Sequence, residues 1–239
     1  MRPCPQVVRT VGFSKGRACF AFRGLKLAAV TTHKPQLVTA FICLLWASVL
    51  ASDTSVLKPP AGAKTGIVLF IDLQWPDCAA AYPLILDVAK SRNVPVVLHD
   101  FPLPRHNWSF AAAVNARFFD QKSQQLGDEF RGYILQNQRQ ITDEVALQRF
   151  TEKFAAERQI TLPAALDPDK KLEDEVRADF ILGQRIGLEH TPTVFVVSDE
   201  GDPIVFVESV DRIRLERAIT DAQKKAAAST PPKPAAKHR

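Results

Sequence analysis

Two residues beyond the apolar run GIVLFI (66–71), the chain reads QWPDC (74–78). After such a run, proline, one intervening residue and cysteine are where a redox protein would carry Cys-x-x-Cys, whose chemistry is thiol–disulfide exchange. The first of those cysteines is here Trp75. Cys78 is a thiol without the neighbour that a dithiol cycle needs, and it reads either as an inert buried residue or as a single reactive group. His106 and His190 are the other side chains capable of chemistry. His106 reads as a loop cap, and neither histidine has a second ligand at zinc spacing, so no metal and no other cofactor is implied.

The elements that must position these residues are legible from hydrophobic pattern. GIVLFI is six apolar or small residues rich in β-branched side chains, the pattern of a fully buried strand. Pro76 and Asp77 suit the first turn of a helix, where a missing N–H costs nothing and a carboxylate meets the positive end of the dipole. That helix is expected to run to about Ser91. VPVVLHDF (94–101) is a second apolar strand, so the chain opens strand–helix–strand with a parallel pair. Four helices follow. The first covers 109–122, with Phe110, Val114 and Phe118 on one face, and the second carries Leu126, Phe130, Tyr133 and Ile134. Thr142 is expected to cap the third, which turns Leu147, Phe150 and Phe154 inward. Asp167-Pro168 opens the fourth, which carries Leu172, Val176 and Phe180 and is closed by Gly187. Strands return at TVFVV (193–197) and IVFVES (204–209) across a turn-rich link, and a last helix covers 211–226. The tail from 227 to 239 is low in complexity and is expected to be disordered.

Composition narrows the function classes. The chain has 239 residues, 46% hydrophobic and 24% charged, with a formal charge of +5. Seven of its 31 basic residues lie within 1–51, which holds no Asp or Glu; that leaves 24 basic against 26 acidic side chains after it. The body of the protein therefore lacks a nucleic-acid-binding charge footprint. Residues 37–50, LVTAFICLLWASVL, form an uncharged apolar run after His33 and Lys34. Fourteen residues at about 1.5 Å each fall short of a bilayer core of roughly 30 Å. A basic flank, a run of this length and small residues at its end describe a secretory signal peptide over 1–51, cut after Ala51. The protein is accordingly expected to be exported to a periplasmic or extracellular space, or membrane-anchored if the segment is retained. Cys4, Cys19 and Cys43 fall within or before that segment, so the mature chain keeps Cys78 alone. Residues 52–65 read as a Pro/Gly linker.

The site residues sit in a wider pattern. FIDLQWPDCAAAYP (70–83) resembles the active-site stretch of the DsbA-like thioredoxin-fold family, F-x-D-x-Q-C-P-x-C-x-x-x-x-P, with Phe70, Asp72, Gln74, Pro76, Cys78 and Pro83 in register. FPLPRH (101–106), ILQNQRQITDE (134–144) and TPTVFV (191–196) resemble three further motifs of that family, in order and at fitting spacing. The resemblance implies an α/β thioredoxin-like fold over 66–226, a central mixed sheet with a helical lobe inserted at about 106–187. It also implies a cis Thr191-Pro192 bond facing the helix that Pro76 begins. In the family, the first motif cysteine is the attacking thiolate and the second resolves the mixed disulfide. An indole can do neither, so dithiol exchange within this chain is chemically excluded. Family members also carry a buried carboxyl nine residues before the second cysteine, and that position is Leu69 here.

The resemblance leaves a surface rather than a reaction centre. Trp75, Pro76 and Asp77, with Thr191 and Pro192, are expected to bind extended or unfolded polypeptide, Trp75 either as an exposed anchor or folded back as a plug over Cys78. A competing expectation is an enzyme, a monothiol exchanger in which Cys78 reacts with a thiol-bearing protein partner. A third is a non-redox transferase on the same scaffold, as in kappa-type glutathione transferases, for which Thr191 is the evident hydroxyl.

Overall fold

The computed structural model describes residues 54–199 and 201–228. The expected signal peptide (1–51), its cleavage site and the tail from Ser229 onward lie outside the described residues. Four strands form one sheet in the order β2-β1-β3-β4: β1 (Thr65–Ile71), β2 (Val96–Asp100), β3 (Thr193–Ser198) and β4 (Ile204–Val207). β1 pairs parallel with β2 and antiparallel with β3, and β3 pairs antiparallel with β4. The sheet is mixed.

All seven residues of β1 are buried, because each face of the sheet is covered. This is why its sequence is continuously apolar rather than alternating. Ile67, Leu69 and Ile71 enter the core built with α1 (Pro76–Ser91). Val68 and Phe70 enter a smaller core with Phe101, Phe195 and Val197. Burying each such side chain stabilises the fold by about 1.5–3 kcal/mol.

Four helices intervene between β2 and β3: α2 (Ser109–Asp120), α3 (Gln124–Asn137), α4 (Glu144–Glu157) and α5 (Lys171–Arg185). The last helix is α6 (Arg212–Ala228). Phe119, Phe130 and Phe154 pack edge to face or tilted against one another at the centre of the lobe. A buried charge network ties the lobe to β2. Arg117 on α2 bridges Asp100 of β2 and Asp179 of α5, and Arg131 on α3 grips Asp120 through both of its terminal nitrogens. Gly183 lets α5 approach the sheet, since a Cβ there would meet the Phe101 ring at 2.5 Å.

Several sequence expectations shift. The cap of α4 is Asp143, which accepts the Ala146 amide at 2.7 Å; Thr142 instead donates to the Asp143 carboxylate. α5 begins at Lys171, not at Asp167-Pro168, although the Asp167 carboxylate reaches forward to accept the Leu172 and Glu173 amides. Within the described part of the expected linker, from Thr54 on, Leu57 is buried against the smaller core and Thr65 is already in β1. α6 continues two residues beyond Ala226, since alanines prolong it more readily than the prolines that follow can.

Candidate functional site

The turn from β1 into α1 is organised by one carboxylate. Asp72 is fully buried and accepts four hydrogen bonds. The Gln74 amide and the Ser109 hydroxyl donate to Oδ1 at 2.7 and 2.6 Å. The Leu103 amide and His106 Nδ1 donate to Oδ2, both at 2.7 Å. Because an ionised carboxylate only accepts, the His106 proton on this side sits on Nδ1. A buried charge is tolerable only when satisfied in this way. The result welds the FPLPRH loop and the start of α2 to the site turn. Gln74 adds two links, accepting from the Trp108 amide and donating to Asn107. Gln138 donates to the carbonyls of Leu73 and Trp75 from the other side.

Trp75 occupies the N-cap position of α1 with extended backbone, Pro76 follows in the first turn, and Asp77 adds an acid there. The indole is half-buried. It stacks on the His106 ring with 5.5 Å between centroids and an interplanar angle of 27°, and the Arg105 guanidinium lies 4.6 Å from its centroid. Trp75 therefore leans on the FPLPRH loop, and its ring partners are there rather than at Cys78.

Cys78 is wholly enclosed, at 0% exposure. The Asp72 amide points at its sulfur at 3.4 Å. Burial pushes the thiol up to about 12, outweighing the opposing pull of that amide and of the Thr191 hydroxyl. Thr191 is itself buried, with a hydroxyl that forms no aligned hydrogen bond. The Thr191–Pro192 peptide bond is cis, and Pro192 donates nothing but accepts the Glu208 amide at 2.8 Å through its carbonyl. His190 lies outside this cluster, exposed, with Nδ1 2.8 Å from Glu208.

Of the residues singled out from sequence, Cys78, Thr191 and Pro192 are thus enclosed, whereas Trp75, Pro76 and Asp77 reach solvent. Leu69 is core. The buried carboxyl of the site is Asp72, three residues further on, a role that counting positions missed although the residue lay within the quoted motif. Arg105 was missed too, and its only signal was its place in FPLPRH. His106 is more than a loop cap, since it links Asp72 to Trp75. Among the described residues, no group of three or more His, Cys, Asp or Glu side chains is placed to hold a metal ion, and no helix is long and apolar enough to cross a membrane.

Two grooves flank the helix tip. One, of about 460 Å³, runs between Asp77, Ala81 and Leu84 of α1 and the Glu208–Val210 segment after β4. The other, of about 380 Å³, lies beyond His106 against α5.

Comparison with known proteins sets this geometry in a family. A family model described as Thioredoxin matches residues 60–212. None of the curated protein sequences matches the chain. Among solved structures, the thiol-disulfide exchange protein alpha-DsbA2 from Wolbachia pipientis is similar at TM-score 0.57 and 19% identity, over 69% of this chain and 84% of its own. Alpha-DsbA1 of the same organism gives 0.59 and 17% over 74% and 98%. A periplasmic thioredoxin-like protein from Salmonella enterica serovar Typhimurium gives 0.56 and 19% over 70% and 88%. At these identities the structures speak for fold, and the family model, spanning more than half of the sequence, speaks for descent: the chain belongs to the thioredoxin family and carries the DsbA-like version of its fold.

Proposed function

We propose that this chain is an exported DsbA-like protein that binds extended polypeptide at the tip of α1 and has lost autonomous dithiol exchange. The observation that carries the reading is the division of the site into a sealed thiol and an accessible aromatic. Cys78 has no exposed surface and its thiol is held far above neutrality. Nucleophilic sulfur chemistry requires an accessible thiolate. Trp75, by contrast, presents a half-exposed ring beside exposed Pro76 and Asp77, backed by His106 and Arg105. An aromatic fixed in one orientation and flanked by grooves is a fitting anchor for a peptide, because little side-chain freedom is lost on binding.

The sealed sulfur disfavours the monothiol exchanger, and the enclosed Thr191 hydroxyl disfavours the transferase. The test uses an unfolded probe, reduced and carboxymethylated lactalbumin. At a hot-spot energy of about 2 kcal/mol, Trp75→Ala should weaken its binding roughly 30-fold. Folding stability should fall by only about 1 kcal/mol, the worth of the lost ring and guanidinium contacts. Unchanged binding with a large loss of stability would make Trp75 a structural plug. Disulfide-exchange turnover abolished by Cys78→Ser would overturn the reading in favour of the monothiol enzyme.

A further inference from the structure

The groove beyond His106 is distinct in character from the one beside Asp77. Its floor and walls are apolar: Pro102 and Pro104 from the loop after β2, Phe110 from α2, and Phe180 and Ile181 from α5. Ile181 is 60% exposed, an unusual state for a large aliphatic side chain within a groove. Phe180 is held in place by stacking on Phe101 at 4.7 Å. The charged side chains that line it or stand at its near end are arginines. Arg177 lines the groove with its guanidinium 4.8 Å from the Phe110 centroid. Arg105 stands over Trp75 at the near end and forms no ion pair among the described residues. No carboxylate lines the groove. Arg177 itself pairs with Glu173, one turn back, at 3.5 Å, its side chain 60% exposed against 30% for Glu173. Such an exposed pair is worth little and leaves the guanidinium available.

His106 joins this groove to the helix tip, since it stacks on Trp75 and also lines the cavity. A chain crossing Trp75 has a continuous path into an apolar trough bordered by arginines. We propose that the groove is a second subsite for the bound polypeptide and that it selects segments in which an acidic side chain sits next to large apolar residues. The apolar side chains fill the trough between Pro104 and Ile181, and the carboxylate meets Arg177 or Arg105 at its margin. Arginine suits this role because its planar fork can bind a carboxylate through two donors while its other face stays on an aromatic ring. The inference rests on the helix-tip reading, and its test separates the two.

The probes are two blocked peptides, acetyl-GSLEFSG-amide and acetyl-GSLKFSG-amide, whose ends carry no charge, so that any preference comes from the central side chain. Calorimetric titration into the full chain should show the glutamate peptide binding at least about tenfold tighter, a difference of about 1.4 kcal/mol. That preference should shrink as salt is raised. Arg177→Glu should reverse it, and Ile181→Asp should weaken both peptides. Both positions are solvent-exposed on α5, and an unchanged melting temperature shows that the variants are folded. Equal binding of the two peptides, or a preference untouched by Arg177→Glu while Trp75→Ala still weakens binding, overturns the subsite and leaves the helix-tip reading standing. Binding of neither peptide, together with no binding of unfolded lactalbumin, overturns both.

Discussion

His106 stands between Trp75 and Asp72, stacked on the indole at 5.5 Å and held by the carboxylate at 2.7 Å. The orientation of a surface aromatic is thereby set by a buried charge that never meets solvent. Asp72 fixes the loop, the loop fixes the imidazole, and the imidazole supports the ring. The same carboxylate belongs to the residue whose amide faces the Cys78 sulfur. One residue thus arranges both the sealed and the accessible halves of the site.

Replacing Asp72 by Asn tests this directly. The amide group turns a donor toward partners that are themselves donors, leaving buried N–H or O–H groups unpaired at about 1–3 kcal/mol. The melting temperature should fall by about 2–12 °C, at 2–4 °C per kcal/mol for a domain of this size. The Trp75 fluorescence of the folded variant should also change as the His106 stack loosens. An unaltered melting temperature would show that the four hydrogen bonds contribute nothing net.

The enclosed thiol makes stability depend on alkaline pH. The folded Cys78 pKa of about 12 lies above the reference value of 9.0. The folded state therefore keeps its proton where the unfolded state gives it up. The stabilisation is fully present below pH 9 and is lost as pH rises toward 12, at up to about 1.4 kcal/mol per unit. Denaturant unfolding measured from pH 8 to 11 should show a steeper decline for the natural chain than for Cys78→Ala. Parallel declines would place the thiol in contact with water. Ellman's reagent should likewise label Cys78 only after unfolding.

Trp75→Cys restores the missing position at the N-cap of α1, three residues before Cys78. A thiol there meets the positive end of the helix dipole, which favours its thiolate. Under a mild oxidant such as oxidised glutathione, the variant should lose both free thiols, read by alkylation and mass spectrometry. A mixed disulfide with glutathione at position 75 that never resolves onto Cys78 would show that the sulfur is packed too tightly to be reached.

Export is tested separately from chemistry. The basic flank and apolar run over 37–50 should be removed in a secreting bacterial host, so that N-terminal sequencing of the recovered protein starts at about Ser52. Recovery in the membrane fraction with residues 37–50 retained would make that segment an anchor.

The amino-acid sequence by itself determined what is covalent and what is periodic. With Trp75 at the place of a first cysteine, residues 75–78 hold one sulfur and no Cys-x-x-Cys pair, because an indole has no sulfur to share. The continuous apolar run of β1 and the i, i+4 faces of α2–α5 marked the elements, because burial on two faces or on one stripe leaves a repeat in the residue order. The partners within the site were decided only by tertiary structure. His106 and Asp72 are 34 residues apart, and Leu103 and Ser109 reach the same carboxylate from a loop and a helix start. Nothing periodic encodes that meeting, so counting back from Cys78 arrived at Leu69 while the buried acid was Asp72. Whether Trp75 would lean on the loop or cover the sulfur was likewise beyond the sequence. The choice came from where Asp72 holds the His106 ring on which the indole stacks.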